Sequence, residues 1–588
     1  MHQAFVTRTR PQDGPPRLAA LRSEMQRAKV DAFLVPRADA HQGEYVNDHD
    51  ARLSWLTSFT GSAGECIVTA TSATMLVDGR YTLQARTQCA DDFEVILSTE
   101  TPRNEWLRNT LESGNTVAYD PWLHTAGEIE ALTKALDGSG IALRATENLI
   151  DNIWADQPDR PQGQVIAYPE DLAGKTSREK CRTLAAELSK AGHSAAVLTL
   201  PDSICWLLNI RGSDIPRNPI VQAFAILHAT GAVELFSDTQ KFAKLKPQEG
   251  LTLREWDEFE PALQALQGDV LVDKSSIPVA VVSQLAQPVL ARDPCILPKA
   301  CKNEAELNGT KSAHIRDAAA MVEFLAWLDA ADHSTLSEID VVTKLESFRE
   351  ATGALRDISF ETICGSGPNG AIVHYRVTEE TNRKLDTNSM LLIDSGGQYI
   401  DGTTDITRTV ALGTPTAEMT KCFTAVLRGM IAVSRVKFPK GAAGRDLDPL
   451  ARQFLWSEGL DFGHGTGHGV GVYMCVHEGP QRISRASHEP LQAGMILSNE
   501  PGYYVEGKFG IRIENLVIVR DAEQTRTPMM CFETLTWVPI DRRLIDTDTL
   551  SADERAWLNA YHADISRKLS GKLSKSAAAW LELATAPL

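Results

Sequence analysis

The chain has 588 residues, several times the usual domain size, and its 43% hydrophobic and 23% charged residues are the balance of a globular protein with large cores, which excludes disorder as the main state. Lys plus Arg number 59 against 77 Asp plus Glu, and the resulting formal charge of -18 repels phosphate backbones and anionic lipid surfaces, so neither nucleic acid nor a membrane is an expected partner. The opening MHQAFVTRTRPQDGPPRL has no apolar core before Pro11, and no run of about 18 uncharged apolar residues occurs, so a soluble, cytoplasmic protein is expected.

The ten cysteines, from Cys66 to Cys531, are scattered singly with no Cys-x-x-Cys pair. Reduced, mostly buried thiols are expected rather than a zinc ribbon or a dithiol redox motif.

Taken in chain order, Leu18 to Lys29 has helical spacing, Asp31 to Val35 reads as a buried strand, Glu65 to Thr71 and Ala73 to Val77 as two more strands, and Leu83 to Cys89 as a helix. This α/β pattern ends near Trp154 to Pro161, where Gln157-Pro-Asp-Arg-Pro-Gln-Gly163 reads as a linker. The next segment repeats the outline, with a helix over Ser177 to Ala191 leading to a strand over Ala195 to Leu198. Trp55-Leu56 is followed by Gly61-Ser62, and Trp206-Leu207 by Gly212-Ser213, at the same interval of six. Residues 1–156 and 157–304 are therefore expected to be duplicated domains. The third segment, 305–588, opens with a long helix over about Glu304 to Ala331 and concentrates its glycines and histidines between Phe360 and Val519. After Asp541 the tail reads as helical, with an apolar stripe of Leu550, Trp557, Leu558, Tyr561, Ile565 and Leu569, then Trp580 to Leu583, expected to dock on a core.

The chemistry lies in the third segment. Met390-Leu-Leu-Ile-Asp394 is a buried strand ending in a carboxylate, and a hairpin through Ser395-Gly-Gly397 to a strand Gly402 to Ala411 is expected to set Asp405 beside it. A second hairpin runs from Gly494 to Glu500, turns at Pro501-Gly502, and returns through Ile511 to Ile518 with Glu514, period-two alternation placing Arg512 on the same face. Four acids in apolar strands require compensating positive charge, because burying one bare carboxylate costs several kcal/mol. Two divalent ions balance Asp394, Asp405, Glu500 and Glu514, and oxygen-rich sites of this kind suit manganese, cobalt or zinc. The plainer alternative pairs the acids with Arg408, Arg512 and their neighbours. Beside them, Phe462 to Pro480 alternates glycines at 463, 465, 467, 469 and 471 with His464, His468 and His477, and neither phosphate-loop spacing is present.

Asp394, Asp405, His468, Glu500 and Glu514, with Gly467-His-Gly-Val-Gly471, Val476-His-Glu-Gly-Pro480 and Asn499-Glu-Pro-Gly-Tyr-Tyr504, make a pattern that resembles the pita-bread metallopeptidases. Within them it is similar to the long, three-domain Xaa-Pro aminopeptidases (aminopeptidase P). The likeness covers nearly the whole chain, with Thr60-Gly-Ser-Ala-Gly64 and Asp78-Gly-Arg-Tyr81 the best matches outside the catalytic domain.

This resemblance implies an α/β (α+β) architecture: creatinase-like N-terminal domains at 1–156 and 157–304, then a pita-bread catalytic domain at 305–588 that includes a C-terminal extension from about residue 530. It implies that Asp394, Asp405, His468, Glu500 and Glu514 ligate two metal ions, manganese before cobalt or zinc, with Asp405 and Glu514 contacting both. It further implies that His374 and His477 bind and orient the scissile peptide and its oxyanion, that His464 shapes a proline pocket, and that Tyr504 and Arg512 support the ligands at the substrate site. Arg52 is a candidate to reach a substrate, across a dimer, and a homodimer is the family expectation. The chemistry suited to this set is hydrolysis of the bond before a penultimate proline: water between two ions loses a proton near neutral pH, and Glu500 passes a proton to the leaving nitrogen. A prolidase limited to dipeptides, or a non-catalytic pita-bread protein that binds peptides, are the competing readings.

Overall fold

A computed structural model describes residues 2–588. The chain forms two compact units, Arg8–Ile296 and a second comprising residues 2–7 with Leu297–Leu588.

In the first unit, the helix Gly14–Ala28 starts on two prolines, whose missing N–H groups cost nothing in a first turn, and buries Leu18, Leu21 and Met25. It leads into the first of six strands, which in chain order are Ala32–Pro36, Glu65–Thr69, Ala73–Val77, Glu94–Leu97, Thr116–Tyr119 and Ala142–Ala145. Counted in that order they lie side by side as 4-3-2-1-5-6. The 1–2 and 2–3 pairs are antiparallel, and the 3–4, 1–5 and 5–6 pairs are parallel.

The helix Ser177–Ala191 begins on a capping box, in which Thr176 and Glu179 satisfy each other's backbone N–H groups. The strands that follow are Ala195–Leu198, Phe224–His228, Val233–Phe236, Leu251–Arg254, Val270–Val272 and Pro288–Leu290. Their order is again 4-3-2-1-5-6, with the same directions pair by pair. Trp55 lies in the helix Arg52–Thr57 and Trp206 in the helix Pro201–Leu208, each the helix that follows the first strand of its sheet. The shared spacing thus marks equivalent places in two copies of one topology.

In the second unit, the helix Glu304–Ala330 is capped by Asn303 and Glu306. With Glu338–Glu350 and Ala417–Arg435 it packs Met321, Phe324, Val341, Phe423 and Met430 against Leu391 and Ile393 of the strand Met390–Ser395 and against Ile511 and Ile513. The C-terminal stripe closes this core, since Leu550, Leu558, Tyr561, Ile565, Leu569 and Leu581 belong to it. Ile363–Ser366, Met390–Ser395 and Ile406–Ala411 form one antiparallel sheet. A larger sheet orders Phe438–Pro439, Met529–Thr534, Asn515–Asp521, Ile496–Asn499, Gly467–Gly469 and Glu478–Ile483, and the hairpin Gly502–Val505 with Phe509–Arg512 stands apart from both.

The two expected hairpins are each split. Gly402–Thr403 pairs in a small sheet with Gly397–Tyr399 before Ile406–Ala411 joins Met390–Ser395, and Gly502–Arg512 forms its own hairpin before Asn515–Asp521 pairs with Ile496–Asn499. Asp405, Glu500 and Glu514 sit in those breaks, where the chain passes from one sheet to another. All ten cysteines are free thiols, seven of them buried. Among the described residues, no helix is long and apolar enough to cross a membrane.

Candidate metal centre

Asp394 lies near the end of its strand, paired with Thr407 on one side and Ile363 on the other. Its Oδ2 accepts a hydrogen bond from Arg512 Nη2 at 2.7 Å. Arg512 is buried, and its Nε donates to Thr407 Oγ1 at 3.1 Å while that hydroxyl donates to Glu514 Oε2 at 2.8 Å. Arg512 and Glu514, expected to share a face, therefore meet through Thr407. His468 completes the group, its Nε2 lying 3.4 Å from both Asp405 Oδ2 and Glu500 Oε1. Asp405, His468 and Glu514 each offer a donor atom within 4.8 Å of the others.

The electrostatics are those of a site built for cations. Arg512 is the arginine paired with these acids; Arg408 instead donates to the carbonyls of Thr407, Glu514, Val538 and Pro539 and to Asn515 and Tyr561. With protein charges alone, burial lifts Asp394 to about 7 despite Arg512, and lifts Glu500 above the usual carboxylate range. Burial, then repulsion from Asp405, Glu500 and Asp394, pushes Glu514 well up. For His468, burial opposes the charged form, but Asp405 and Glu500 outweigh it and raise the imidazole to about 9. Asp394 Oδ1 and Glu514 Oε1 are buried with no hydrogen-bond partner among the described residues. A buried carboxylate oxygen without a donor is costly, and these two fit a divalent ion in the same cluster. His468 Nδ1 faces Gly469 O at 2.9 Å, the arrangement that leaves Nε2 as the coordinating nitrogen.

The other candidate residues surround this centre. The His477 ring stands edge-on to His468, centroids 4.2 Å apart. His464 Nε2 is 2.8 Å from the Tyr504 hydroxyl, which accepts from Arg512 Nη1 at 2.6 Å, so His464 is tied through Tyr504 and Arg512 to Asp394. His374 follows the short turn Gly367–Ala371, half-buried, and the carbonyl of its neighbour Val373 accepts from Arg512 Nη1 at 3.4 Å. Arg52 belongs to the other unit, where Asp151 and Asp50 hold its guanidinium. Two contributors escaped the sequence reading: Thr407, and Ser498, whose hydroxyl donates to Glu500 Oε1 at 3.1 Å and accepts from His468 N at 2.9 Å. Each stands two residues from a candidate ligand, and that alternation is the one signal that points to them.

Residues 308–521 match metallopeptidase family M24, 17–153 and 156–306 each match a creatinase/prolidase N-terminal domain, and 528–588 match the C-terminal region of M24 peptidases. A probable Xaa-Pro aminopeptidase P of Paracoccidioides brasiliensis is 39% identical over 98% of this chain and 99% of its own length. A second, from Talaromyces marneffei, is also 39% identical, over 98% of this chain and 92% of its own. The crystal structure of X-prolyl aminopeptidase from Caenorhabditis elegans, described as a cytosolic enzyme with a di-nuclear active site, superposes with a TM-score of 0.92 at 33% identity, covering 97% of this chain and 99% of that one. The chain therefore belongs to metallopeptidase family M24 and, within it, to the Xaa-Pro aminopeptidase P family, with two creatinase-type α/β domains ahead of a pita-bread domain.

Proposed function

We propose that this chain is a metal-dependent aminopeptidase that hydrolyses the bond between an N-terminal residue and a penultimate proline. One observation carries the reading: four acids and His468 converge while Asp394 Oδ1 and Glu514 Oε1 are buried without a donor. We take Asp394, Asp405, His468, Glu500 and Glu514 as ligands of two divalent ions, Asp405 and Glu514 serving both, with manganese as the occupant ahead of cobalt or zinc. When bound, such ions supply Lewis acidity, which polarises a carbonyl and lowers the pKa of water.

The chain's own residues do the rest. Glu500, whose Oε1 lies 3.4 Å from His468 Nε2 and accepts from the Ser498 hydroxyl, is placed to pass a proton to the leaving proline nitrogen. His477 and His374 orient the scissile peptide and donate to the oxygen that gains charge in the transition state. His464, fixed by Tyr504, shapes the wall against the pyrrolidine ring, and Arg512 holds Asp394 and Tyr504 in register. The acids anchor the free α-amine of the peptide. The protein works in the cytoplasm as a homodimer, Arg52 is the candidate to reach a substrate across the dimer, and the domains divide at 156/157 and 304/305. The cytosolic C. elegans relative supports the location.

The test is an assay of manganese-reconstituted protein on Xaa-Pro-Xaa tripeptides, Xaa-Pro dipeptides and Xaa-Ala-Xaa controls. Release of the first residue from Xaa-Pro tripeptides, with little turnover of the alanine series, is expected; equal turnover of both would overturn the assignment.

A further inference from the structure

Glu478 follows His477 directly and opens the strand Glu478–Ile483. Its carboxylate, 1% exposed, meets two ammonium groups: Lys302 Nζ donates to Oε1, and Lys299 Nζ lies 3.3 Å from Oε2. The two lysine side chains are only 2% and 3% exposed, and Lys302 Nζ also donates to Lys299 O at 2.6 Å, so the short segment between them wraps the glutamate. Three ions this far from water give up their hydration, and replacing such a group by apolar side chains of the same volume is often neutral or stabilising, so their stability alone gives no reason for them.

Position does. The strand Gly467–Gly469 carries His468 and pairs irregularly with Glu478–Ile483, Gly469 opposite Glu478 and His468 opposite Arg482. A Cβ on Gly469 would fall 2.3 Å from Glu478 O, so this glycine lets the backbone of Glu478 lie close against the strand that carries His468. With its carboxylate gripped and its backbone pressed on the neighbouring strand, Glu478 determines where the preceding residue leaves the sheet. That residue is His477, whose ring stands against His468.

We propose that Glu478, clamped by Lys299 and Lys302, is a positioning residue for His477, and that the segment Leu297–Lys302 thereby sets how well this histidine meets the substrate. The proposal rests on the reading of His477 given above. It is tested by replacing the three ions together (Lys299→Met, Lys302→Met, Glu478→Met) in the full chain, with and without His477→Ala. The triple variant is expected to keep its metal content, its melting temperature and, within about twofold, its KM, while kcat falls by about 10-fold to 100-fold. In the His477→Ala background the same replacement should cost less than about twofold more, because the group it positions is gone. A kcat within twofold of the parent, or an equal fall with and without His477, would overturn the proposal. Should the triple variant fail to fold, Lys302→Met alone, which keeps the Lys299–Glu478 pair, must show the same loss of kcat and the same dependence on His477. If His477→Ala by itself leaves kcat unchanged, the reading of the site fails and takes this proposal with it.

Discussion

Arg512 Nη2 lies 2.7 Å from Asp394 Oδ2, with both residues buried, and through Thr407 the same guanidinium is linked to Glu514. One planar cation thus sets two acids, Asp394 on the strand Met390–Ser395 and Glu514 in the break before Asn515–Asp521. Lysine keeps the charge but cannot present the fork, so Arg512→Lys leaves Thr407 and Tyr504 without their donor. The expected result is a metal affinity about 10-fold to 100-fold weaker, with much of the activity regained at high metal concentration. Titration of metal-stripped variant against parent checks this, and identical affinities would show that the pairing does not shape the site.

The raised acids have a consequence for stability. A group whose pKa is higher in the folded protein than in the unfolded chain stabilises fully below its unfolded value, and that contribution is lost as pH rises through the folded value. Asp394, moved from 3.8 to about 7, loses its contribution across that window, with Glu500 and Glu514 acting in the same direction. His468, moved from 6.5 to about 9, continues the loss upward. Metal-stripped protein should therefore melt at progressively lower temperature from about pH 5 to pH 9, and added manganese should restore most at the upper end, releasing protons as it binds. Melting curves across that range, with and without chelator, decide the matter; a metal-free Tm that climbs with pH would contradict it.

Much of this centre was legible because a carboxylate at the end of an apolar strand is expensive and so stands out, as Asp394 and Glu500 do. The duplicated sheets were legible for a related reason: Trp55 with Gly61 and Trp206 with Gly212 recur at one spacing in one order of elements. Thr407 was not, since a β-branched hydroxyl within Ile406-Thr-Arg-Thr-Val410 looks like any strand residue. Alternation put Arg512 on the face of Glu514 but left open whether Arg408 also pairs with the acids. That choice is made by the breaks at Asp405 and Ile513-Glu514, where the chain changes sheets, and a change of sheet depends on tertiary pairing rather than on local pattern. The grouping of residues 2–7 with the catalytic unit was likewise unmarked: Gln3 exchanges hydrogen bonds with the backbone of Thr362, a contact 359 residues apart.

The histidines should separate by role. His468 has carboxylate oxygens of Asp405 and Glu500 at 3.4 Å, whereas His477 stands edge-on to the ring of His468, and His374 lies beside Val373, which Arg512 holds. His468→Ala is expected to lower metal content measured by elemental analysis. His477→Ala and His374→Ala should retain both ions yet lose about 2.7 to 4 kcal/mol of transition-state stabilisation, a fall of 10²-fold to 10³-fold in kcat. Loss of metal in all three would mean that the roles are wrongly divided.

Specificity tests the family assignment independently of the metals. A proline at the second substrate position brings a pyrrolidine ring and a preset backbone angle, and it has no N–H for a general protease to bind. If the wall containing His464 and Tyr504 is shaped for that ring, changing proline to alanine removes apolar packing and preorganisation while leaving the ligand set untouched. kcat/KM should then fall by at least about tenfold, since even one methylene in an apolar pocket is worth 10-fold to 200-fold. The aminopeptidase reading also requires cleavage of Xaa-Pro-Xaa tripeptides and longer chains with release of a single free amino acid, because nothing in it demands the proline carboxylate. Acetylating the peptide N-terminus should block turnover, since the free amine has to sit among the acids. Cleavage confined to Xaa-Pro dipeptides would convert the assignment to a prolidase, and undiminished turnover of Xaa-Ala tripeptides would remove proline from it altogether.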